Sequence, residues 1–448
     1  MATTGKPCRT APAFPLSLTR RGGTDEELAA PRRAAYAPPL SDDGQAAVAE
    51  QHFEVIVIGA GAAGMMCAAQ AAQRGRRVLL IDHAEHLAEK IRISGGGRCN
   101  FTNRRVGPEH YLSQNPHFVR SALSRYGSTD FIALVERYGI RYHERDHGQL
   151  FCDDSAQQII DMLRAECDTG GVAWAMPMTV QAIARGEGDI GFVLDTARGR
   201  LRCDSLVVAT GGLSIPKIGA TPFGYRIAEQ FGLPMVAPRP ALVPLTLPPE
   251  TLARFADLSG ASLDVAAQCN GARFREALLV THRGLSGPVV LQVSNYWQAQ
   301  AYHDGEWEPV GIDLLPNLDA ENWLLSHADG KALLANLLAE HLPRRFAHAW
   351  CAMHDWERPL NRFSHTELRT VATTLANWQI VPSGTQGYAK AEVTLGGVDT
   401  RALSSKTMEA TRCKGLFFVG EVMDVTGHLG GYNFQWAWSS GHAAGQFV

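Results

Sequence analysis

The feature that most restricts this chain is a strand–turn–helix near its start whose complement stands at its far end. Near the start the sequence reads Phe53-Glu-Val-Ile-Val-Ile-Gly59-Ala-Gly61-Ala-Ala-Gly64, then a helix of small residues, Gly75, a second apolar strand over 78–81, and Asp82. At the far end Gly415-Leu-Phe-Phe-Val-Gly420-Glu421 leads through a glycine-rich turn into Tyr432-Asn-Phe-Gln-Trp-Ala-Trp438. The first segment is a dinucleotide fingerprint in its full context, with an apolar strand before it, a helix after it and an acid about 20 residues on. Gly59 permits the tight turn, Gly61 lets the backbone approach a pyrophosphate, and Gly64 allows close helix–strand packing. The helix N-terminus then stabilises the negative charge of the phosphates, and Asp82 is placed to accept ribose hydroxyls. A glycine-rich turn without a ligand is the plain alternative, and the second half-site weighs against it. A ligand gripped by both ends of a long chain is itself long. That points to FAD, and hence to redox chemistry.

At 448 residues two or three domains are expected. Hydrophobic residues at 45% and charged residues at 19% give a globular balance. A formal charge of −3 offers no electrostatic case for nucleic acid or an anionic membrane as main partner. Nine cysteines are scattered singly, without a C-x-x-C pair, as expected for free thiols in a reducing compartment. No apolar run reaches the length of a membrane span, and no secretory h-region opens the chain. The expected setting is cytoplasmic. No metal site is expected, and the oligomeric state is open.

Residues 1–51 lack periodicity and read as a disordered extension or an over-long predicted start. A βαβ unit follows, with a strand over 55–58, a helix over 62–74 and a strand over 78–81. Helices are expected over 115–138 and 155–169, with short strands around 141–144 and 178–183. Residues 192–195 and 200–203 read as a hairpin turning at Ala197-Arg-Gly199, and 206–209 as a further buried strand. Prolines cluster from Pro234 to Pro249 and change the character of the chain. Alternation over 261–267, 278–280 and 289–293 then suggests an antiparallel sheet or barrel. From 319 to 378 the pattern is helical, with Ser364-His-Thr-Glu367 as a capping box. Extended structure resumes over 391–395, and 416–419 returns to the first domain. The fold class is therefore α/β: a discontinuous Rossmann-like FAD-binding domain with an inserted antiparallel β-barrel-like domain and a small helical cap. The boundaries run 52–238 and 401–448 for the FAD-binding domain, 239–316 and 381–400 for the inserted domain, and 317–380 for the cap.

Three further segments separate FAD from NAD. Arg92-Ile-Ser94-Gly-Gly-Gly97-Arg98-Cys99-Asn100 is no ordinary helix, because its three glycines forfeit ~1 kcal/mol each. Such a run lets backbone amides close around a bulky anionic or planar ligand. Thr210-Gly-Gly212 ends a buried strand at the sheet's carboxyl edge, where a cofactor lies. Gly420-Glu421 ends another, with a carboxylate for ribityl hydroxyls. Each taken singly is also a tight turn; the combination is what favours a ligand.

These blocks resemble the HI0933-like flavoprotein family, a branch of the glutathione-reductase-type FAD fold. The resemblance rests on Val57-Ile-Gly-Ala-Gly-Ala-Ala-Gly64, Ser94-Gly-Gly-Gly-Arg-Cys-Asn-Phe-Thr-Asn103, Thr210-Gly-Gly-Leu-Ser-Ile-Pro-Lys-Ile-Gly219 and Thr281-His-Arg-Gly-Leu-Ser-Gly-Pro288. Its most specific parts are the Thr281–Pro288 block and the run from Gly420 to Trp436, in which His428 departs from the large residue expected there. The resemblance implies the three-part architecture just given. It also implies that the first glycine turn holds the pyrophosphate, Asp82 the adenosine ribose, and the strand backbone at Val180 the adenine. The 94–100 loop would run towards the isoalloxazine. Asn433 and Phe434 would begin a helix whose positive end faces the flavin N1–C2 carbonyl edge.

The candidate cofactor-binding set is Gly59, Ala60, Gly61, Ala62, Ala63, Gly64, Asp82, His83, Lys90, Ser94, Gly95, Gly96, Gly97, Arg98, Cys99, Asn100, Val180, Ala209, Thr210, Gly211, Gly212, Gly420, Glu421, Gly431, Asn433 and Phe434. Cys99 reads as a packed cysteine beside the cofactor rather than half of a redox dithiol, since no resolving thiol stands within a few residues. His282 reads as a turn histidine in preference to a proton donor, while the role of His428 is open. Trp436 and Trp438 read as core. No catalytic residue is assigned. The leading function is an FAD-dependent oxidoreductase working by hydride transfer through flavin N5. NAD(P)H is the expected transient donor and a small apolar, enone- or ketone-like molecule the substrate. The alternatives are an oxygen-using amine or amino-ketone oxidase, an RNA-modifying flavoprotein, and a flavin-binding protein without turnover.

Overall fold

The computed structural model describes residues 51–189 and 191–448. The expected disordered extension, apart from Gln51, lies outside them. The described chain divides into two compact units. One comprises 51–212, 218–238 and 396–448, the other 213–217 and 239–395.

The first unit is built on a mixed sheet. Its order is Ala173–Ala175, Val78–Ile81, Gln51–Ile58, Gly199–Val208, Phe192–Thr196 and Val180–Arg185, and Leu416–Phe418 also pairs Gly199–Val208. Gln51–Ile58 runs parallel to both neighbours, and Val55, Ile56 and Val57 are wholly buried, as the central strand of a parallel sheet requires. Gly199–Val208 is one continuous strand where two were expected. Its first half forms the hairpin with Phe192–Thr196, and its last residues pair in parallel with Leu416–Phe418. The glycine fingerprint and Gly420 both follow carboxyl ends of these parallel strands. The first helix, Ala62–Gln73, packs against the closing helix, Tyr432–Gly445. Two closing-helix glycines make that approach possible, since a Cβ on Gly441 would lie 2.5 Å from Ala63 O and one on Gly445 2.6 Å from Gln70 Cβ. The first and last helices of the described chain thus meet.

The helix expected over 115–138 is two, Val119–Arg125 and Ser128–Arg137. Tyr126 leaves the helical region (φ −147°, ψ 91°), and Gly127 restarts it with its N–H bound to Asp130 Oδ2 at 2.7 Å.

The second unit carries a seven-stranded sheet in the order Trp378–Ile380, Val310–Asp313, Ser262–Cys269, Ala272–Thr281, Gly284–Ser286, Leu245–Thr246, Gly384–Thr385. Every pairing in it is antiparallel. Residues 289–293, expected to be a strand, lie in the helix Pro288–Ala299. All of the run but half-buried Leu291 is buried, so its apolar content does not separate strand from helix. Gly287 (φ +88°) as N-cap and Pro288 at the first helical position decide it. Four helices between Ala320 and Ala376 share one apolar core with the sheet, in which Val265, Ile312, Leu324, Phe346, Trp350 and Leu375 are buried together. The capping box forms as expected: Ser364 Oγ accepts from Glu367 N at 3.2 Å, and Glu367 Oε2 accepts from Ser364 N at 2.7 Å. Among the described residues no helix is long and apolar enough to cross a membrane.

Candidate functional site

The fingerprint turn is drawn tight by its own glycines. Gly59 has φ +110°, and a Cβ there would stand 2.4 Å from Ala209 O. A Cβ on Gly64 would stand 1.8 Å from Gly59 O. Those two glycines are demanded by the fold itself. Gly61 is different. It is the N-cap of Ala62–Gln73 without any side-chain cap, and a Cβ there would meet no protein atom within 4 Å. An uncapped helix N-terminus faced by a residue with open space is what a bound pyrophosphate requires. The same openness recurs at Gly96, Gly97 and Gly211, all with positive φ. The residues present therefore fit an extended dinucleotide.

Asp82 holds the turn from the next strand. Its Oδ2 accepts from Ala60 N at 2.7 Å and its Oδ1 from Ala84 N at 2.9 Å. His83 Nε2 lies 3.1 Å from Gly219 O. Met178 N donates to Asp82 O at 2.7 Å, tying the segment that leads into buried Val180 to the same strand end. Ala209 N donates to Ile58 O at 2.8 Å, which brings the Thr210-Gly211-Gly212 turn beside the fingerprint. The Thr210 hydroxyl is buried without a hydrogen-bond partner, and a Cβ on Gly224 would lie 2.1 Å from it. Its side chain is thus committed to packing on Gly224.

The closing segment joins the same set of residues. A Cβ on Gly420 (φ +76°) would approach Ala63 Cβ to 2.8 Å, and Gly420 N donates to Ser440 Oγ at 3.0 Å. Glu421 Oε2 accepts from Lys90 Nζ at 2.6 Å. Lys90 stands on the helix Glu89–Ile93, which runs into the Ser94–Gly97 turn. That turn is non-helical at Gly95 and Gly96, as its composition required, and Ala156 N donates to Gly97 O at 2.7 Å. Ser94 Oγ donates to Ile91 O at 2.8 Å, whereas the Arg98 side chain is exposed and pairs with none of the described residues. Cys99 is fully buried, and burial pushes its thiol well above the usual range, so it is no thiolate nucleophile.

Gly431, N-cap of the closing helix, sits on the strand Asn100–Asn103, where a Cβ would come within 2.4 Å of Thr102 O. Asn433 turns its side chain backwards: Oδ1 accepts from Gly427 N at 2.8 Å, and Nδ2 donates to Gly427 O at 3.0 Å. Its role in the structure is to hold the turn before the helix, leaving the helix amides as the groups that can face a ligand. Phe434 stacks on Trp438, which stacks on Phe131 at 4.4 Å. Trp436 and Trp438 are core, as expected. His428 is buried beside His110 (ring centroids 5.6 Å), and burial with the His110 charge lowers it to about 4. Asp424 is buried too. Its Oδ2 accepts from Gln114 N at 2.7 Å and Ser113 Oγ at 3.2 Å, yet burial dominates and raises it to about 6.

Several supporting residues were not foreseen. Asn103 Nδ2 donates to Gly430 O at 2.9 Å, Thr102 Oγ1 donates to Gln435 Oε1 at 2.6 Å, and Trp436 Nε1 reaches Gly420 O at 3.3 Å. The available signal was Gln435, Ser439 and Ser440 in an otherwise apolar helix, since buried polar groups require partners.

The family model described as HI0933-like protein Rossmann domain matches residues 53–447. A ribosomal RNA dihydrouridine synthase of Escherichia coli (strain K12) is 52% identical over 400 residues, covering 88% of this chain and 98% of that protein. A 3-dehydro-bile acid delta(4,6)-reductase of Clostridium scindens is 28% identical over 418 residues, covering 87% and 97% respectively. Among solved structures, a 3-ketosteroid-delta4-(5alpha)-dehydrogenase from Rhodococcus jostii RHA1 aligns with a TM-score of 0.44 at 14% identity, covering 88% of this chain and 97% of that one.

Proposed function

The chain belongs to the HI0933-like flavoprotein family, and from that premise we propose that it reduces a carbon–carbon double bond conjugated to a carbonyl, with a uracil of ribosomal RNA as substrate. The observation that carries this reading is the 52% identity to a ribosomal RNA dihydrouridine synthase across 98% of that protein. Dihydrouridine is uridine saturated at C5–C6, a bond conjugated to the C4 carbonyl. The delta(4,6) bonds of a 3-dehydro-bile acid, the substrate in the other relative's name, are conjugated to a ketone in the same way. An enone-like substrate therefore fits both relatives, and for this chain the RNA-modifying alternative moves to the front. The expectation that nucleic acid is no partner gives way on this reading. A net charge of −3 disfavours tracking along phosphates but not capture of a single unstacked base.

Bound FAD would supply the hydride, at N5. The chain's own residues hold and orient it. Gly61 and the amides of Ala62–Gln73 would receive the pyrophosphate, and the Lys90–Glu421 pair would stand by the ribityl chain. The N-terminal amides of Tyr432–Gly445 would support charge at the flavin's carbonyl edge. The buried neutral thiol of Cys99 leaves the redox step to the flavin alone. NAD(P)H remains the proposed donor, docking transiently, because no second fingerprint follows another strand.

The test is to incubate FAD-loaded protein with transcribed, unmodified small- and large-subunit rRNA and NADH or NADPH, then measure dihydrouridine in the digested RNA by mass spectrometry. Dihydrouridine at a defined position is the expected result. Its absence with either donor, and with chemically reduced protein, would count against the reading. Rapid reoxidation of the reduced flavin by air would favour the oxidase instead.

A further inference from the structure

The strand Asn100–Asn103 and its partner Gln149–Cys152 belong to the same unit as the fingerprint and the closing helix. The turn before that helix rests directly on them. A Cβ on Gly431 would come within 2.4 Å of Thr102 O and 2.9 Å of Asn100 Oδ1, and one on Gly430 within 3.1 Å of Gln149 Cγ and Cδ. Asn103 Nδ2 donates to Gly430 O at 2.9 Å and to His147 O at 3.1 Å. One amide thus ties the turn before the helix to the His147-Gly148 turn that delivers Gln149. His147 has φ +61°, uncommon outside glycine.

The two strands pair out of regular register between Asn100 and Thr102. A bulge of this kind re-aims a side chain. Asn100 lies opposite Phe151, yet its carboxamide meets that of Gln149 at 2.9 Å. The two ends of a carboxamide are told apart by what surrounds them. With its oxygen turned to the helix, Asn100 is satisfied at every position. Oδ1 accepts from Gly431 N at 3.3 Å and from the Gln149 amide, and Nδ2 donates to Thr102 O and Leu150 O, both at 3.2 Å. The contact with Asn100 is the only side-chain hydrogen bond of Gln149 among the described residues. It leaves one N–H and the carbonyl oxygen of a half-buried amide that packs on Gly430. Asn100 and Gly431 both belong to the candidate cofactor set, so this amide touches that set directly.

We propose that Gln149 recognises a pyrimidine-2,4-dione by its N3 edge, Oε1 accepting from N3–H and Nε2 donating to an adjacent carbonyl. Asn100, itself held by Gly431, fixes which way the amide faces. A cytosine edge presents an acceptor at N3. Matching it would reverse the Gln149 amide and set its oxygen against Asn100 Oδ1, which disfavours the wrong base. Two rings in this chemistry carry the dione edge, the isoalloxazine of FAD and the uracil of the function proposed above. Only the second case rests on that reading.

Methylation at N3 is the test, because it removes the N–H and keeps the ring. In one arm, apoprotein is titrated with FAD and with N3-methyl-FAD, followed by fluorescence quenching. In the other, FAD-loaded protein is photoreduced without air, and flavin reoxidation is followed on transcribed rRNA and on the same RNA carrying 3-methyluridine at the position reduced. Each arm compares the parent with Gln149→Met and Gln149→Leu, neither of which removes a backbone hydrogen bond of the strand. In one arm the parent should prefer the unmethylated compound by at least about tenfold, and both variants should lose most of that preference. The arm in which this happens identifies the ring. A parent without preference in either arm, or variants that keep it, overturns the role of Gln149. A parent whose reduced flavin ignores unmethylated rRNA overturns the reading of the substrate, and the FAD titration then decides Gln149 by itself.

Discussion

Lys90 Nζ stands 2.6 Å from Glu421 Oε2, an ion pair closed across 331 residues of chain. It fastens the helix that enters the Ser94–Gly97 turn to the turn after the last strand of the sheet. Both side chains are largely sheltered, at 32% and 16% exposure. A hydrogen bond to a charged group contributes about 1.5–3 kcal/mol, and partial exposure places this one near the lower end. Glu421→Gln and Lys90→Met should each weaken FAD binding by about tenfold. Titrating apoprotein with FAD and following fluorescence quenching measures it. Unchanged affinity in both variants would remove the pair from the cofactor site.

Gly61 and Gly64 stand three positions apart, and their substitution should have opposite signatures. A Cβ on Gly64 collides with Gly59 O at 1.8 Å, so Gly64→Ala should destabilise the protein itself by at least the ~1–3 kcal/mol of an overpacked site. A Cβ on Gly61 meets nothing within 4 Å. Gly61→Ala should leave the thermal midpoint of the apoprotein within about 2 °C of the parent and yet abolish its FAD-dependent rise. If Gly61→Ala takes up FAD normally, the helix N-terminus is not the phosphate site.

The sequence was most legible where a local rule carries the structure. The fingerprint, the Ser94–Gly97 turn and the Ser364 capping box depend on glycine geometry or on neighbours three residues apart, and each was read in place. Residues 289–293 were misread as a strand because a short buried run has no polar face to show its period. The break at Gly127 was missed because amphipathic periodicity continues across it. Lys90 and Glu421 were both named as candidates, but their pairing is a product of the closing segment's return to the sheet.

Asp424 and His428 should oppose each other in the pH dependence of stability. Asp424 sits at about 6 when folded, raised by burial, against about 3.9 unfolded. The folded state holds its proton more tightly, so the associated stability is full below about pH 4 and is lost as pH rises through 6. His428 sits at about 4 when folded against about 6.5 unfolded. Its contribution is full above pH 6.5 and is lost as pH falls through 4. Each shift is worth about 3 kcal/mol, so the two nearly cancel in the parent. Asp424→Asn keeps an acceptor for Gln114 N and Ser113 Oγ but removes the charge. It should be more stable than the parent at pH 8 and should lose about 2–3 kcal/mol between about pH 6.5 and pH 4.5, where the parent changes little. Urea melts at the three pH values measure this; parallel profiles would show that Asp424 is not held protonated.

The overall charge balance constrains how RNA would be engaged. Besides the net charge of −3, arginines on exposed strands are already paired, Arg273 with Asp313 at 2.7 Å and Arg275 with Asp264 at 3.1 Å. Arg104 and Arg137 are likewise bound to Glu144 and Glu166. Each phosphate neutralised on single-stranded RNA contributes about −0.7 to the slope of log K against log salt. Four or fewer contacts therefore give a slope no steeper than about −3. Binding to transcribed rRNA should show that shallow dependence, with most of its affinity lost when uridine at the modified position is replaced by cytidine, whose C4 amino group removes the conjugated carbonyl. A steep slope with no loss on that replacement would mean that the RNA is held by its backbone, on a basic surface not evident in these pairings.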